Sequence, residues 1–172
     1  MSNPPPSPLG HIAAVVYPSG TDPSPVLADA VRTLQARQVQ VAGVIERNVG
    51  PCDMVLEILP GGDRIGISQD LGSSATGCRL DTTALADAAA QVGAAIRNAP
   101  GLVVFNKFGA REAAGEGLRA EMAEAAVAGT PILTAVKDSL LEEWTAFLGG
   151  KSVLLPCSSD AVLEWWQELA RG

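Results

Sequence analysis

The sequence predicts an α/β fold, a three-layer sandwich with a mainly parallel sheet. Three observations carry this. The runs HIAAVVY, GLVVF and PILTAV are almost continuously apolar, as strands buried on both faces must be. Segments with helical spacing of apolar residues alternate with these runs, which implies parallel strands joined by crossovers. The 172-residue chain is 47% hydrophobic but only 4% aromatic, and it carries 18 glycines, which suits helices packed closely on a sheet.

Residues 1–9 are rich in Pro and Ser and read as a disordered tail. Residues 10–172 read as a single α/β domain, a length that can bury a real core. Residues 11–17 form the first strand. A turn-rich loop, PSGTDPSP, follows. Ser24 and Pro25 have the residue types of a helix N-cap and first helical position. The helix runs over residues 26–37, with Leu27, Ala30, Val31 and Leu34 on one face. A second strand covers residues 39–47. DMVLEIL and RIGIS, joined by Pro60-Gly61-Gly62-Asp63, read as an inserted β-hairpin, since Gly-Gly supplies the positive φ angles of such turns. Residues 69–81 are a polar loop. Asp81 or Thr82 caps a helix running to residue 98. The third strand is GLVVFNKFG. Then come a helix over residues 118–128 ended by Gly129, a strand TPILTAV, a helix over 139–148, a strand SVLLP and a helix over 159–170.

Charge and composition exclude several classes. The net charge is -7, which argues against nucleic acid and against an anionic membrane surface. No run approaches the roughly 20 apolar residues of a membrane span. The N-terminal residues lack the charged and apolar regions of a secretory signal. Cys52, Cys78 and Cys157 form no CxxC pair, so a zinc knuckle or thioredoxin-like site is not indicated and no disulfide framework is expected. The chain therefore reads as soluble, reduced and cytoplasmic. No cofactor is assigned.

Ligands of open α/β sheets bind outside the carboxyl ends of the strands. Six of the twelve basic residues fall there: Arg47, Arg79, Lys107, Arg111, Arg119 and Lys137. With helix N-termini on the same edge, that rim fits an anion. The alternative is that these cations pair with Glu46, Glu112 and Glu116.

The first loop offers Ser19, Gly20 and Thr21 as anion contacts, but it lacks the lysine and second glycine of GxxxxGK[ST], which counts against ATP hydrolysis. The stretch SQDLGSSATGCRLD holds Ser68, Gln69, Gly77, Cys78 and Arg79. Its hydroxyls, glycines and cation could hold a molybdate- or phosphate-type oxyanion, or it could be a mobile crossover loop. Asn106 and Lys107 sit at a strand end. Glu112 and Glu116 would share one face of a helix and could hold Mg²⁺ or a water. Cys52 and Cys78 could approach each other across the hairpin. His11 reads as structural, and Trp144, Trp165 and Trp166 as packing or the face of a homo-oligomer.

The segments CDMVLEIL, RIGISQDLGSSATGCRLD and LVVFNKFGAREAAGEGL together resemble an uncharacterised bacterial family of unknown function. The resemblance runs from about residue 12 to residue 166. It implies a fold similar to small P-loop nucleoside-triphosphatases. It also implies a molybdenum connection, because members of that family are often encoded beside molybdate-transport genes. P-loop nucleoside-triphosphatases carry an acidic residue and a glycine after the strand where this chain has Asn106-Lys107-Phe108-Gly109, and a full phosphate loop at residues 18–25; this chain departs at both.

Three readings follow. The first is a binding protein for a small oxyanion, molybdate or tungstate, held by Arg79, Lys107, Ser68 and N–H groups near Gly77, with Arg47 on the same rim. The second is a nucleotide-binding protein or nucleoside-triphosphatase with an atypical phosphate loop, in which Lys107 or Lys137 replaces the missing lysine. The third is an adaptor presenting its C-terminal helix to partners.

Overall fold

The computed structural model describes residues 9–48, 54–70 and 78–171. Nine strands and six α-helices are found among them. They are β1 (Leu9–Tyr17), α1 (Ser24–Ala36), β2 (Val41–Asn48), β3 (Met54–Leu59), β4 (Asp63–Gly66), β5 (Ser68–Asp70), β6 (Cys78–Leu80) and α2 (Thr82–Arg97). After these come β7 (Leu102–Val104), α3 (Ala110–Ala113), α4 (Arg119–Val127), β8 (Ile132–Lys137), α5 (Leu141–Leu148), β9 (Ser152–Leu155) and α6 (Ser159–Arg171). A 3₁₀ turn at Asp138–Leu140 leads into α5.

Seven strands form one sheet in the order β4-β3-β2-β7-β8-β1-β9. The five from β2 to β9 in that order are parallel. The hairpin β3–β4 adds two antiparallel strands beside β2, so the inserted hairpin extends the sheet. The seam between β2 and β7 is unusually close. Gly43 has φ +124°, and a Cβ there would run into the Val104 carbonyl oxygen. Only glycine fits both restrictions.

Alternation along the buried strands feeds two separate cores. Ile12, Val44, Val103 and Ile132 face α2, α4 and α5. Ala13, Ile45, Val104 and Leu133 face α1 and α6. The fold is therefore the expected three-layer sandwich. No helix among the described residues is long and apolar enough to cross a membrane.

Local expectations fare unevenly. Asp81 caps α2, its carboxylate accepting the Ala84 N–H at 3.0 Å. Ser24 is not a cap: it is the first helical residue after an N-cap at Pro23, and its hydroxyl turns inward. The stretch after the hairpin is not wholly a loop, because β5 and β6 pair as a short antiparallel ladder. The long third strand pairs regularly only over Leu102–Val104, with one isolated bridge from Phe108 to Val136. Gly77 and Cys52 lie outside the described residues, as do the side chains of Gln69, Cys78 and Arg79.

Candidate functional site

The chain reverses direction across the sheet at β1. From β1 it crosses by α1 to β2 on one side, and from β8 it passes by α5 to β9 on the other. In open α/β sheets such a switch point opens a crevice at the carboxyl ends of the strands. That edge has two sides, one on each face of the sheet.

On the α1 side lies the first loop. The Thr21 N–H donates to the Pro18 carbonyl at 3.2 Å, closing a turn that leaves Ser19, Gly20 and Thr21 exposed. The Ser24 N–H donates to Asp22 Oδ1 at 3.0 Å, so the chain's own carboxylate answers the start of α1. Asn106, only 3% exposed, ties the region together. Its Nδ2 donates to Ser24 Oγ at 3.0 Å, and its Oδ1 accepts the Glu46 N–H at 2.8 Å. Tyr17 and Lys137 are register partners at the ends of β1 and β8. Lys137 is partly buried, and no ion pair of its side chain is found among the described residues. Burial, then Glu46 and Asp22, push the Tyr17 hydroxyl above its ordinary range. Burial, then Asp22, do the same for the Cys157 thiol.

On the other side, a cavity of about 330 Å³ opens between β2, β3 and the segment after β7. Val44, Leu56, Ile67, Leu80, Leu85 and Leu118 make its aliphatic wall. Its polar groups include Glu46, Lys107 and Glu112. Lys107 Nζ lies 3.5 Å from Glu46 Oε2, and the Glu46 side chain is only 8% exposed. The Gly109 N–H donates to Glu112 Oε2 at 3.1 Å. Desolvation pushes the Glu112 carboxyl above its ordinary range, although its backbone hydrogen bonds and Arg111 oppose that shift. Below this loop Phe108, Trp144 and Phe147 pack together, with ring centroids 5.2–6.1 Å apart.

The basic rim is largely neutralised where it stands. Arg47 pairs with Glu57 at 3.1 Å, Lys107 with Glu46, and Arg111 with Glu116 at 3.5 Å. Arg119 donates to the Glu112 carbonyl at 2.9 Å and lies 4.8 Å above the Phe147 ring. Glu112 and Glu116 do not share a helix face, because α3 ends at Ala113 and Glu116 turns to Arg111. Ser68 Oγ accepts the Met54 N–H at 2.8 Å, a structural bond across the hairpin. Gln69 and Arg79 are backbone register partners in the β5–β6 ladder, next to the register pair Asp70 and Cys78. No group of three or more His, Cys, Asp or Glu placed to hold a metal is found among the described residues.

Sequence reasoning did not single out Asp22, the buried Glu46 or the cavity. Glu46 was legible only as a pairing partner, because its strand end reads as rim.

A family model described as "Protein of unknown function (DUF2478)" matches residues 12–165. The chain is 38% identical over 163 residues to "Molybdenum import ATP-binding protein ModC 2" of Bradyrhizobium diazoefficiens. The match covers 92% of this chain but 18% of that protein, so the chain spans under a fifth of the relative's length. Among solved structures, THEP1 from the hyperthermophile Aquifex aeolicus superposes with a TM-score of 0.65 at 10% identity. That match covers 92% of this chain and 98% of the other. It bears out the P-loop-nucleoside-triphosphatase-like fold.

Proposed function

The chain belongs to the DUF2478 family of proteins of unknown function, and from that premise we propose that it is a ligand-binding module of molybdenum handling that holds a small oxyanion, molybdate or tungstate first, without turning over nucleotide. The observation that carries the anion is Lys137. It ends a central strand beside the first loop, at the switch point, and has no ion pair among the described residues. The exposed Ser19 and Thr21 stand on the same loop to donate hydrogen bonds. The molybdenum connection rests on the relative, whose name states molybdenum import.

Hydrolysis is disfavoured by the same loop. P-loop enzymes place a lysine directly before the Ser or Thr that meets Mg²⁺. If Ser24 takes that hydroxyl's place, the lysine's place falls to Pro23, which has neither an amine nor an N–H. Calorimetry against molybdate, tungstate, sulfate and phosphate at millimolar concentration tests the proposal. Binding of molybdate or tungstate is expected, with loss in Lys137→Ala and retention in Lys107→Ala. No heat with any of the four would end this reading.

One contact favours a second reading, nucleotide binding. Ser24 Oγ and Asn106 Nδ2 meet at 3.0 Å, where P-loop enzymes set the Mg²⁺-binding hydroxyl against an acidic side chain. A rise in melting temperature with Mg-ATP but not with molybdate would favour it. A bound ligand at about 100 times its dissociation constant adds roughly 2.7 kcal/mol, which is readily detected.

A further inference from the structure

We propose that the cavity beneath the hairpin binds a one- or two-ring nitrogen heterocycle through an edge carrying adjacent N–H and NH₂ donors, the edge shared by guanine and pterin rings. This does not rest on the oxyanion reading, because none of Ser19, Thr21 and Lys137 lines this cavity.

Size is the first argument. Small-molecule pockets run from about 300 to 1,000 Å³. At about 330 Å³ this cavity admits a ring system, not a whole nucleoside triphosphate. The wall is the second. Val44, Leu56, Ile67 and Leu85 offer flat aliphatic contact, and the Met54 thioether suits a ring edge.

The polar groups are the third and most selective argument. Two carboxylates, Glu46 and Glu112, line the same small apolar space. Lys107 and Arg111 line it too, so the cavity offers both acceptors and donors in near charge balance. Ionised carboxylates are acceptors only, and one carboxylate can accept two parallel N–H bonds. An edge with two adjacent donors is the matching partner. Lys107 balances Glu46 and stands by to donate to a ring carbonyl.

The Glu112 carboxylate is also held in place. Gly109 donates to Oε2 from one side. On the other, Gly117 has φ +63°, and a Cβ there would lie 2.8 Å from Oε1. A glycine at that position leaves room for the carboxylate.

The test is calorimetry of the full chain with pterin, guanosine and lumazine, the last having the pterin shape with an oxygen replacing the amino group. Pterin or guanosine should bind at least about tenfold more tightly than lumazine, since a site built for donors rejects an analogue lacking them. Pterin alone binding would identify the bicyclic pteridine as the occupant; guanosine binding too would show that a sugar is accommodated at the mouth. Glu112→Gln should erase the preference over lumazine, and Leu85→Trp, which fills the cavity, should abolish all binding. Lys137→Ala should change nothing here while it removes oxyanion binding. Equal affinity for pterin and lumazine, or no binding of any of the three to the unmodified chain, would overturn the proposal.

Discussion

The two sides of the carboxyl edge use the same strands and come out chemically opposite. On the α1 side the groups are small, exposed and hydroxylic, and Lys137 is left with no ion pair among the described residues. On the hairpin side the cations are matched by carboxylates: Lys107 by Glu46, and Arg47 by Glu57. Two sources supply the carboxylates. The antiparallel neighbour β3 brings Glu57 back to Arg47, and β2 itself carries Glu46 to Lys107, whereas β1 and β8 have only parallel partners and end without a carboxylate paired to Lys137 among the described residues. A strand-end cation is therefore only a potential ligand group; a carboxylate within reach, from its own sheet or from a returning hairpin, decides whether it stays one.

The strongest way to break this comparison is to open the seam that joins the two sides. Gly43→Ala forces a Cβ against the Val104 carbonyl at a backbone angle that side chains rarely adopt. Its cost should exceed about 4 kcal/mol, in the range reserved for severe backbone or packing faults. Urea unfolding measures it, and a loss under about 1 kcal/mol would mean that β2 and β7 readily move apart.

Asn106→Ala comes next. Asn106 bonds β2 with one end of its amide and α1 with the other. Removing it leaves the buried Glu46 N–H without its acceptor and Ser24 Oγ without its donor. The expected loss is about 2–4 kcal/mol by the same unfolding measurement.

Asp22→Asn sharpens the comparison through binding. It removes a negative charge that adds to the effect of burial on Tyr17 and Cys157, while keeping an acceptor for the Ser24 N–H. Oxyanion affinity should rise about fivefold, equivalent to about 1 kcal/mol of relieved repulsion across a solvated gap. Unchanged affinity would move the anion away from the first loop.

The smallest effect is in pH dependence on the hairpin side. The Glu112 carboxyl has a folded value above its unfolded one, about 4.3 for a free glutamate, so the native state holds the proton longer. Its contribution to stability is full below the unfolded value and is lost as pH rises through the folded value. Glu112→Gln should flatten the unfolding free energy across that acidic window. An unchanged profile would mean that the carboxyl is better solvated than its position implies.

Much of the fold was legible because the signals are local. Unbroken apolar runs announce parallel strands, Gly61-Gly62 announces the hairpin turn, and Asp81 sits at cap spacing from Ala84. The site was legible only as a place. Strand-end logic finds Asn106, Lys107 and Lys137, but the bonds that set their roles span long stretches of chain. Ser24 and Asn106 are 82 residues apart, and Glu46 and Asn106 are 60 apart. Ser24 has the residue type of a cap, and only its burial against Asn106 gives it another task. Glu112 and Glu116 have helical spacing, but the helix stops one turn in, at a chain that carries Gly115 and Gly117.

The indole rings described among the packing residues divide between the two layers. Trp144 is 1% exposed on the α2, α4 and α5 face and donates to Ser152 Oγ at 2.9 Å. Trp165 is 6% exposed on the α1 and α6 face and donates to the Gly10 carbonyl at 2.9 Å. The molecule therefore carries a native fluorophore in each half. Trp166 lies beside Trp165, 6.1 Å between ring centroids, and belongs to the same half. Replacing Trp144, or Trp165 and Trp166 together, with Phe would leave emission from one layer at a time, so a ligand on either face could be followed by the colour and lifetime of its own side.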